Sequence, residues 1–243
     1  MSKRQEIREK RRKQQQRQRL LIIGMVAIGA VLIAAALILP SLKPVGDFIQ
    51  PTPRTYSAPE EMNTLGDPNA LVKVDIWEDY QCPACANFTT QVETLIIQNY
   101  VDTGKVFYTF HHFPFIDSQS VTKESHQAAN ASMCAGEQGR FWDYHDMLFA
   151  NWNGENQGAF VDNRLIAFAN SLNLNMSDFK ACFTENRYSE QINQDFEAGK
   201  AKGVTSTPNI FVDGIMVLNS QNSKYIPTYG DIAAAIEAAL AGK

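Results

Sequence analysis

Leu20 to Leu39 is a continuous apolar run with no charged or strongly polar residue. At ~1.5 Å of rise per residue a helix over 20–39 is about 30 Å long, the thickness of a bilayer's hydrocarbon core, and it predicts one transmembrane helix. Past residue 60 the pattern changes to short apolar runs. Leu71 to Trp77 alternates as a half-buried strand does, and amphipathic periodicity then predicts a helix over about 83–100, with Gly104 as its stop. Val106 to Phe110 reads as a second strand leading to Pro114. Helical spacing dominates about 118–202, interrupted near Asn151–Gly154 and Asn173–Asn175. Asn209–Val212 and Ile215–Leu218 flank Asp213-Gly214, a hairpin turn signal. Thr228 and Asp231 have capping-box spacing before a last helix with Ile232, Ile236 and Leu240 on one face. The order is strand, helix, strand, a long helical insertion, hairpin, helix, which is an α/β class.

Charge orients this arrangement. Residues 1–19 carry nine Lys or Arg against Glu6 and Glu9, whereas the whole chain is at −4, so everything after the apolar run is strongly acidic. A basic segment before a span places it in the cytoplasm and the acidic body outside. The same block would suit a nucleic-acid arm, but its abutment on an apolar run gives it the topological role, and no nucleic-acid partner is expected. Ala34-Ala35-Ala36 offers the small residues of a signal-peptide cleavage site. Leu37-Ile38-Leu39 continues the apolar run beyond it, which favours an uncleaved anchor in the lipid bilayer. Five prolines in 40–59 (Pro40, Pro44, Pro51, Pro53 and Pro59) predict an extended linker, and 60–243 is one domain.

The chemistry is concentrated at Cys82-Pro83-Ala84-Cys85, where the first strand hands over to the first helix. Cysteines at i and i+3 share one helical face, one turn apart, and can close a disulfide on each other. At the helix start, free backbone N–H groups and the dipole favour a thiolate on Cys82. Pro83 fits the first turn, where its missing N–H costs nothing. The alternative is half of a zinc site, which needs a second ligand pair. The chain has no second C-x-x-C, and Cys134 and Cys182 are isolated. With Cys82 and Cys85 paired, a second bridge has only Cys134 and Cys182 to use. In an oxidising compartment such a bridge contributes about 4 kcal/mol of loop entropy in the simple model, and two buried free thiols are the alternative. The four histidines have no metal-ligand spacing with nearby acids: His111 and His112 end a strand, and His126 and His145 belong to helices, where packing and capping suffice. Trp77, Phe88, Phe107, Phe110, Phe141 and Trp142 read as core.

Three stretches together carry a family resemblance: the strand ending Glu78-Asp79-Tyr80-Gln81-Cys82-Pro83-Ala84-Cys85, the helical stretch Cys134 to Phe149, and Gly203 to Pro208 before a hairpin. In this order they resemble the DsbA-like thiol-disulfide oxidoreductases over about 60–243. The resemblance implies a thioredoxin fold with an inserted helical subdomain. It implies Cys82 as the exposed nucleophile, Cys85 as its buried partner, and Pro208 as a cis proline that presents the backbone of Thr207 to an extended substrate. Similar placement in some members supports the Cys134–Cys182 bridge.

The family also commonly places a buried acid six residues before the first cysteine. Ile76 stands there in this chain, which moves proton handling at Cys85 to water, Glu78 or Asp79. The function so implied is a membrane-anchored extracytoplasmic oxidase that forms disulfides in exported proteins. Its partners would be reduced or unfolded exported chains and a quinone reductase of the DsbB or vitamin K epoxide reductase type. No flavin, nicotinamide or metal motif is visible. A reductase or isomerase of the same fold is the alternative, and a chaperone or binding module is a further one.

Overall fold

The computed structural model describes residues 17–33 and 45–243. Residues 17–33 form a helix, α1, whose apolar side chains, among them Leu20, Ile23, Val26 and Leu32, are exposed. Among the described residues no helix is long and apolar enough to cross a membrane, and 34–39 of the span expected over 20–39 lie outside them. The basic residues before Arg17 and the first part of the linker, 40–44, also lie outside the described residues. The chain divides into two compact units between Val45 and Gly46, and the second unit holds both cysteine pairs.

Six strands of the second unit form one sheet in the order β1-β2-β4-β3-β5-β6: β1 (Glu60–Glu61), β2 (Thr64–Leu65), β3 (Val72–Glu78), β4 (Val106–His112), β5 (Asn209–Val212) and β6 (Ile215–Met216). β3 runs parallel to β4, as a strand–helix–strand unit requires, and antiparallel to β5. Alternation sends Val72, Val74, Ile76 and Glu78 to one buried face of β3, while Lys73 and Asp75 turn away. The same period on β4 buries Val106, Tyr108, Phe110 and His112 and leaves Phe107 half-buried, so Phe107 is not the core residue its sequence neighbours suggest. The second hairpin strand is shorter than 215–218. β6 keeps two residues, with one further bond from Val217 N to Ile210 O at 2.9 Å.

α2 (Pro83–Phe88) continues through Thr89–Glu93, α3 (Thr94–Ile96) and Ile97–Val101, and the two flanking segments are wide turns in which N–H reaches back five residues. The stop is where Gly104 predicts it, at φ +75°. Between β4 and β5 lies the insertion: a 3-10 turn (Ile116–Gln119), then α4 (Glu124–Gly136), α5 (Phe141–Ala150), α6 (Asp162–Ser171), α7 (Met176–Thr184) and α8 (Ser189–Ala201). Cys134 of α4 and Cys182 of α7, both fully buried, are joined in a disulfide with Cα atoms 5.8 Å apart. α8 returns to the sheet at Gly199, where a Cβ would stand 2.7 Å from the Trp77 ring and 2.9 Å from Phe113. Only glycine lets the helix come this close. α9 (Tyr229–Ala241) closes the fold behind a capping box in which Thr228 and Asp231 satisfy each other's backbone N–H groups.

From residue 46 the predicted linker is laid against the domain. Asn151 holds Ile49 through both backbone groups, at 2.8 and 2.7 Å, and Asp102 accepts from Ser57 N and Ala58 N. Phe48 packs edge-on against Phe168. Proline stiffens such a segment without preventing side-chain contacts.

Candidate active site

β3 ends at Glu78, and the next four residues deliver Cys82 to the N-cap of α2 in an extended conformation (φ −77°, ψ 121°), with Pro83 in the first turn. This junction is held by Asp79, a buried carboxylate that accepts from Gln81 N at 2.8 Å, Ser125 Oγ at 2.6 Å and Ile116 N at 3.1 Å. Burial raises Asp79 to about 7 against those bonds, which favour the carboxylate. Its oxygens are occupied, so Asp79 serves the architecture of the junction. Gln81 extends this support, receiving Trp152 Nε1 on its carbonyl and Asn156 N on its side chain.

Cys82 and Cys85 are both unbonded thiols. Across from them the Thr207–Pro208 peptide is cis, and the Cys82 thiol donates to the Thr207 carbonyl at 3.4 Å. The loop before β5 thereby covers the sulfur and leaves Cys82 only 5% exposed, which corrects the expectation of an exposed nucleophile. Pro83 is exposed and Ala84 half-buried beside it, while Thr207 and Pro208 are buried.

The two sulfurs are pushed in opposite directions. The Cys82 thiol is lowered to about 6, first by a hydrogen bond from Cys85, against the opposing effect of burial, and then by the N–H groups of Cys85 and Ala84. Thr207 Oγ1 makes no hydrogen bond among the described residues, and Thr207 meets the sulfur through its carbonyl. Cys85, fully buried, is raised well above a free thiol by desolvation, by its bond to Cys82 and by the charge of Glu78. Such a pair is built to hold one thiolate and one thiol.

Glu78, at the end of the same strand face as Ile76, is 1% exposed, and both its carboxyl oxygens lack a bonding partner among the described residues. Desolvation, with the charges of Glu93 and Cys82, raises it well above a free carboxyl. Of the two acids read from the sequence, Glu78 is left without a bonding partner among the described residues and feels the charge of Cys82, whereas Asp79 is committed to Gln81, Ser125 and Ile116.

The histidines stand apart from the sulfur chemistry. His111 stacks on Trp77 with ring centroids 4.2 Å apart and bonds Asp195 at 3.0 Å and Asp75 at 3.2 Å. His112 is buried and lowered to about 4, mainly by desolvation. His126 contacts Ser189, and His145 belongs to a buried ionic cluster with Asp146 and Arg54 that helical spacing alone does not reveal. Among the described residues no group of three or more His, Cys, Asp or Glu side chains is placed to hold a metal.

A family model described as Thioredoxin matches residues 57–229. The chain belongs to the thioredoxin family. A curated relative, the probable disulfide bond formation protein D of Bacillus cereus, is 25% identical over 198 residues, covering 81% of this chain and 89% of that protein. Another, Na(+)/H(+) antiporter NhaA 3 of Salinispora tropica, is 31% identical over 156 residues, 64% of this chain, but the match spans only 22% of that protein. Oxidised BdbD from Bacillus subtilis shares the fold with a TM-score of 0.63 at 24% identity, over 81% of this chain and 100% of that one. α-DsbA1 from Wolbachia pipientis does so with a TM-score of 0.60 at 24% identity, over 74% of this chain and 91% of that one. The DsbA-like resemblance drawn from the three motifs is in accord with these relatives, and the inserted helical subdomain is part of the shared fold.

Proposed function

We propose that this thioredoxin-family chain is a thiol-disulfide oxidoreductase working as a dithiol oxidase, with Cys82 as nucleophile and Cys85 as resolving thiol. The observation that carries the reading is the opposite tuning of the two sulfurs at a helix start facing Thr207–Pro208. A stabilised Cys82 thiolate favours the reduced enzyme, which makes the disulfide form the better oxidant.

In the forward reaction a substrate thiolate attacks the Cys82 sulfur of the Cys82–Cys85 disulfide. The substrate–Cys82 bond forms, the Cys82–Cys85 bond breaks, and Cys85 leaves with the electron pair. Buried and unable to remain anionic, Cys85 takes the proton of Glu78. The substrate's second thiolate then attacks the substrate sulfur, and Cys82 departs as a thiolate held by the Cys85 S–H and the helix-start N–H groups. Two electrons pass from substrate to enzyme, and an external oxidant must restore the disulfide.

The substrates proposed are reduced exported proteins, which bind in extended form along Thr207. The reoxidant is a membrane quinone reductase of the DsbB or vitamin K epoxide reductase type. The apolar run Leu20–Leu39 behind nine basic residues supports an uncleaved anchor with the domain on the extracytoplasmic side. Protease added to spheroplasts should then remove the domain and spare the N-terminal segment.

The deciding experiment is the equilibrium of the Cys82–Cys85 couple with glutathione. A potential well above the thioredoxin value of about −270 mV supports an oxidase. A value at or below it turns the assignment to a reductase.

A further inference from the structure

The outer face of β3 is exposed at Lys73 but buried at Trp77, where α8 lies against it. Trp77 is 1% exposed, and its indole meets α8 through two adjacent ring atoms. Nε1 donates to the carbonyl of Asp195 at 3.1 Å, and Cδ1 faces Gly199, one helical turn on, at the spot where a Cβ would stand 2.7 Å away. His111, the neighbour of Trp77 on β4, stacks on the ring and reaches Asp195 through Nδ1 at 3.0 Å. Lys202, just past the end of α8, lies over the rings of Trp77 and Phe211. Ring and helix backbone are in direct contact, so a change in the ring is felt by the helix.

This seat stands at both ends of the loop that covers Cys82. At the near end, Val204 N bonds the carbonyl of Gly199 at 2.9 Å, and the Val204 side chain is buried in one cluster with Trp77, Phe113 and Phe211. At the far end, Asn209 is the antiparallel partner of Trp77 in the β3–β5 register. Thr205, Ser206, Thr207 and Pro208 span the gap. Among the described residues, the hydrogen bonds of 205–207 are those of Ser206 O with Asn209 Nδ2 at 2.6 Å and of Thr207 O with the Cys82 thiol at 3.4 Å. With so few tethers of its own, the loop stands where its two ends put it.

We infer that Trp77 is a positioning residue for Cys82: its ring, by seating α8, and its backbone, by pairing with Asn209, hold the Thr205–Pro208 loop over the sulfur. Trp77 lies outside the core cluster that contains both active-site cysteines and acts through Gly199 and Val204 on Thr207. Two consequences follow from the one contact. The covered sulfur is shielded from small reagents, and the Thr207 backbone is kept in one place for an extended substrate chain. A smaller side chain at 77 unseats α8 and frees the loop, so small molecules gain access to Cys82 while a protein chain loses its docking edge. General destabilisation makes no such split, since unfolding exposes Cys85 as well. The inference rests on the reading of Cys82 as nucleophile and Thr207 as the docking edge, but chemical labelling of the sulfur does not use that reading.

The test labels the reduced full chain with iodoacetamide at about pH 8, where Cys82 is already thiolate and the rate reports access. Trp77→Leu should label Cys82 at least about threefold faster than wild type while Cys85 stays slow. Phe168→Leu in α6, a fully buried change away from the seat, controls for lost stability. Labelling of Cys82 in Trp77→Leu no faster than in Phe168→Leu overturns the inference, as does an equal acceleration at Cys85. If Trp77→Leu does not fold, Gly199→Ala, which pushes α8 off the ring from the other side, decides by the same criteria. Exchange by the oxidised chain is measured alongside: Trp77→Leu should show a severalfold higher KM for a reduced model protein and an undiminished rate with glutathione. An unchanged KM in an active enzyme also overturns the inference. A wild-type chain that exchanges with neither thiol sinks the oxidoreductase reading instead, while the labelling still reports on Trp77.

Discussion

The Cys82 thiol meets the carbonyl oxygen of Thr207 at 3.4 Å, across 125 residues of sequence. This contact joins the two motifs that the chain keeps far apart, and it explains why a cysteine at the very start of a helix is nonetheless only 5% exposed. A substrate must therefore reach Cys82 beside the loop that covers it.

The division of labour between the cysteines is testable by alkylation. Cys82 should react with a midpoint near pH 6 and Cys85 far more slowly, because the bond from Cys85 stabilises one thiolate while burial opposes the other. Rates of iodoacetamide labelling, read cysteine by cysteine by mass spectrometry, check this. Faster labelling of Cys85 would reverse the roles.

Single replacements should separate attack from resolution. Cys82→Ser should abolish thiol–disulfide exchange, and Cys85→Ser should accumulate mixed disulfides, since the resolving sulfur is gone. Non-reducing gels after incubation with a reduced model protein distinguish them. Pro208→Ala should alter the yield of those complexes without removing either sulfur.

The Cys134–Cys182 bridge should persist when mild reductant keeps Cys82 and Cys85 as thiols, because both of its cysteines are fully buried. Replacing both by Ala should cost about 2–4 kcal/mol in urea unfolding. Exchange activity should remain in the folded fraction, since the bridge ties α4 to α7 within the insertion.

Gly199→Ala should destabilise the domain by about 1–3 kcal/mol, as overpacking does, because the new methyl would meet Trp77 and Phe113. A lowered unfolding midpoint checks it; an unchanged midpoint would mean that α8 can draw back from the sheet at little cost.

His111 gives stability a definite pH dependence. Burial opposes its charge, but Asp195 and Asp75 outweigh burial and raise the imidazole to about 9, above the unfolded value of about 6.5. The folded state therefore binds the proton more tightly. The stabilisation is fully present below about pH 6.5 and is lost as pH rises through about 9, on the order of 3 kcal/mol in all. His111→Gln should flatten that part of the urea-derived stability profile.

The sequence by itself determined the α/β order, the inward face of β3, the caps of α2 and α9 and the placing of Cys82 and Cys85 one helical turn apart. Each follows from periodicity or from chemistry within a few residues, where the backbone leaves few choices. Glu78 too was legible as an inward residue by its alternation with Ile76. What only the tertiary structure decided depends on groups distant in sequence. The covering of Cys82 by Thr207, the commitment of Asp79 to Ser125 and Ile116, and the docking of 46–59 arise from packing across the fold. The pairing of Arg54 with a buried Glu93 is of the same kind, because the guanidinium that meets this carboxyl arrives from a segment 39 residues away in the chain.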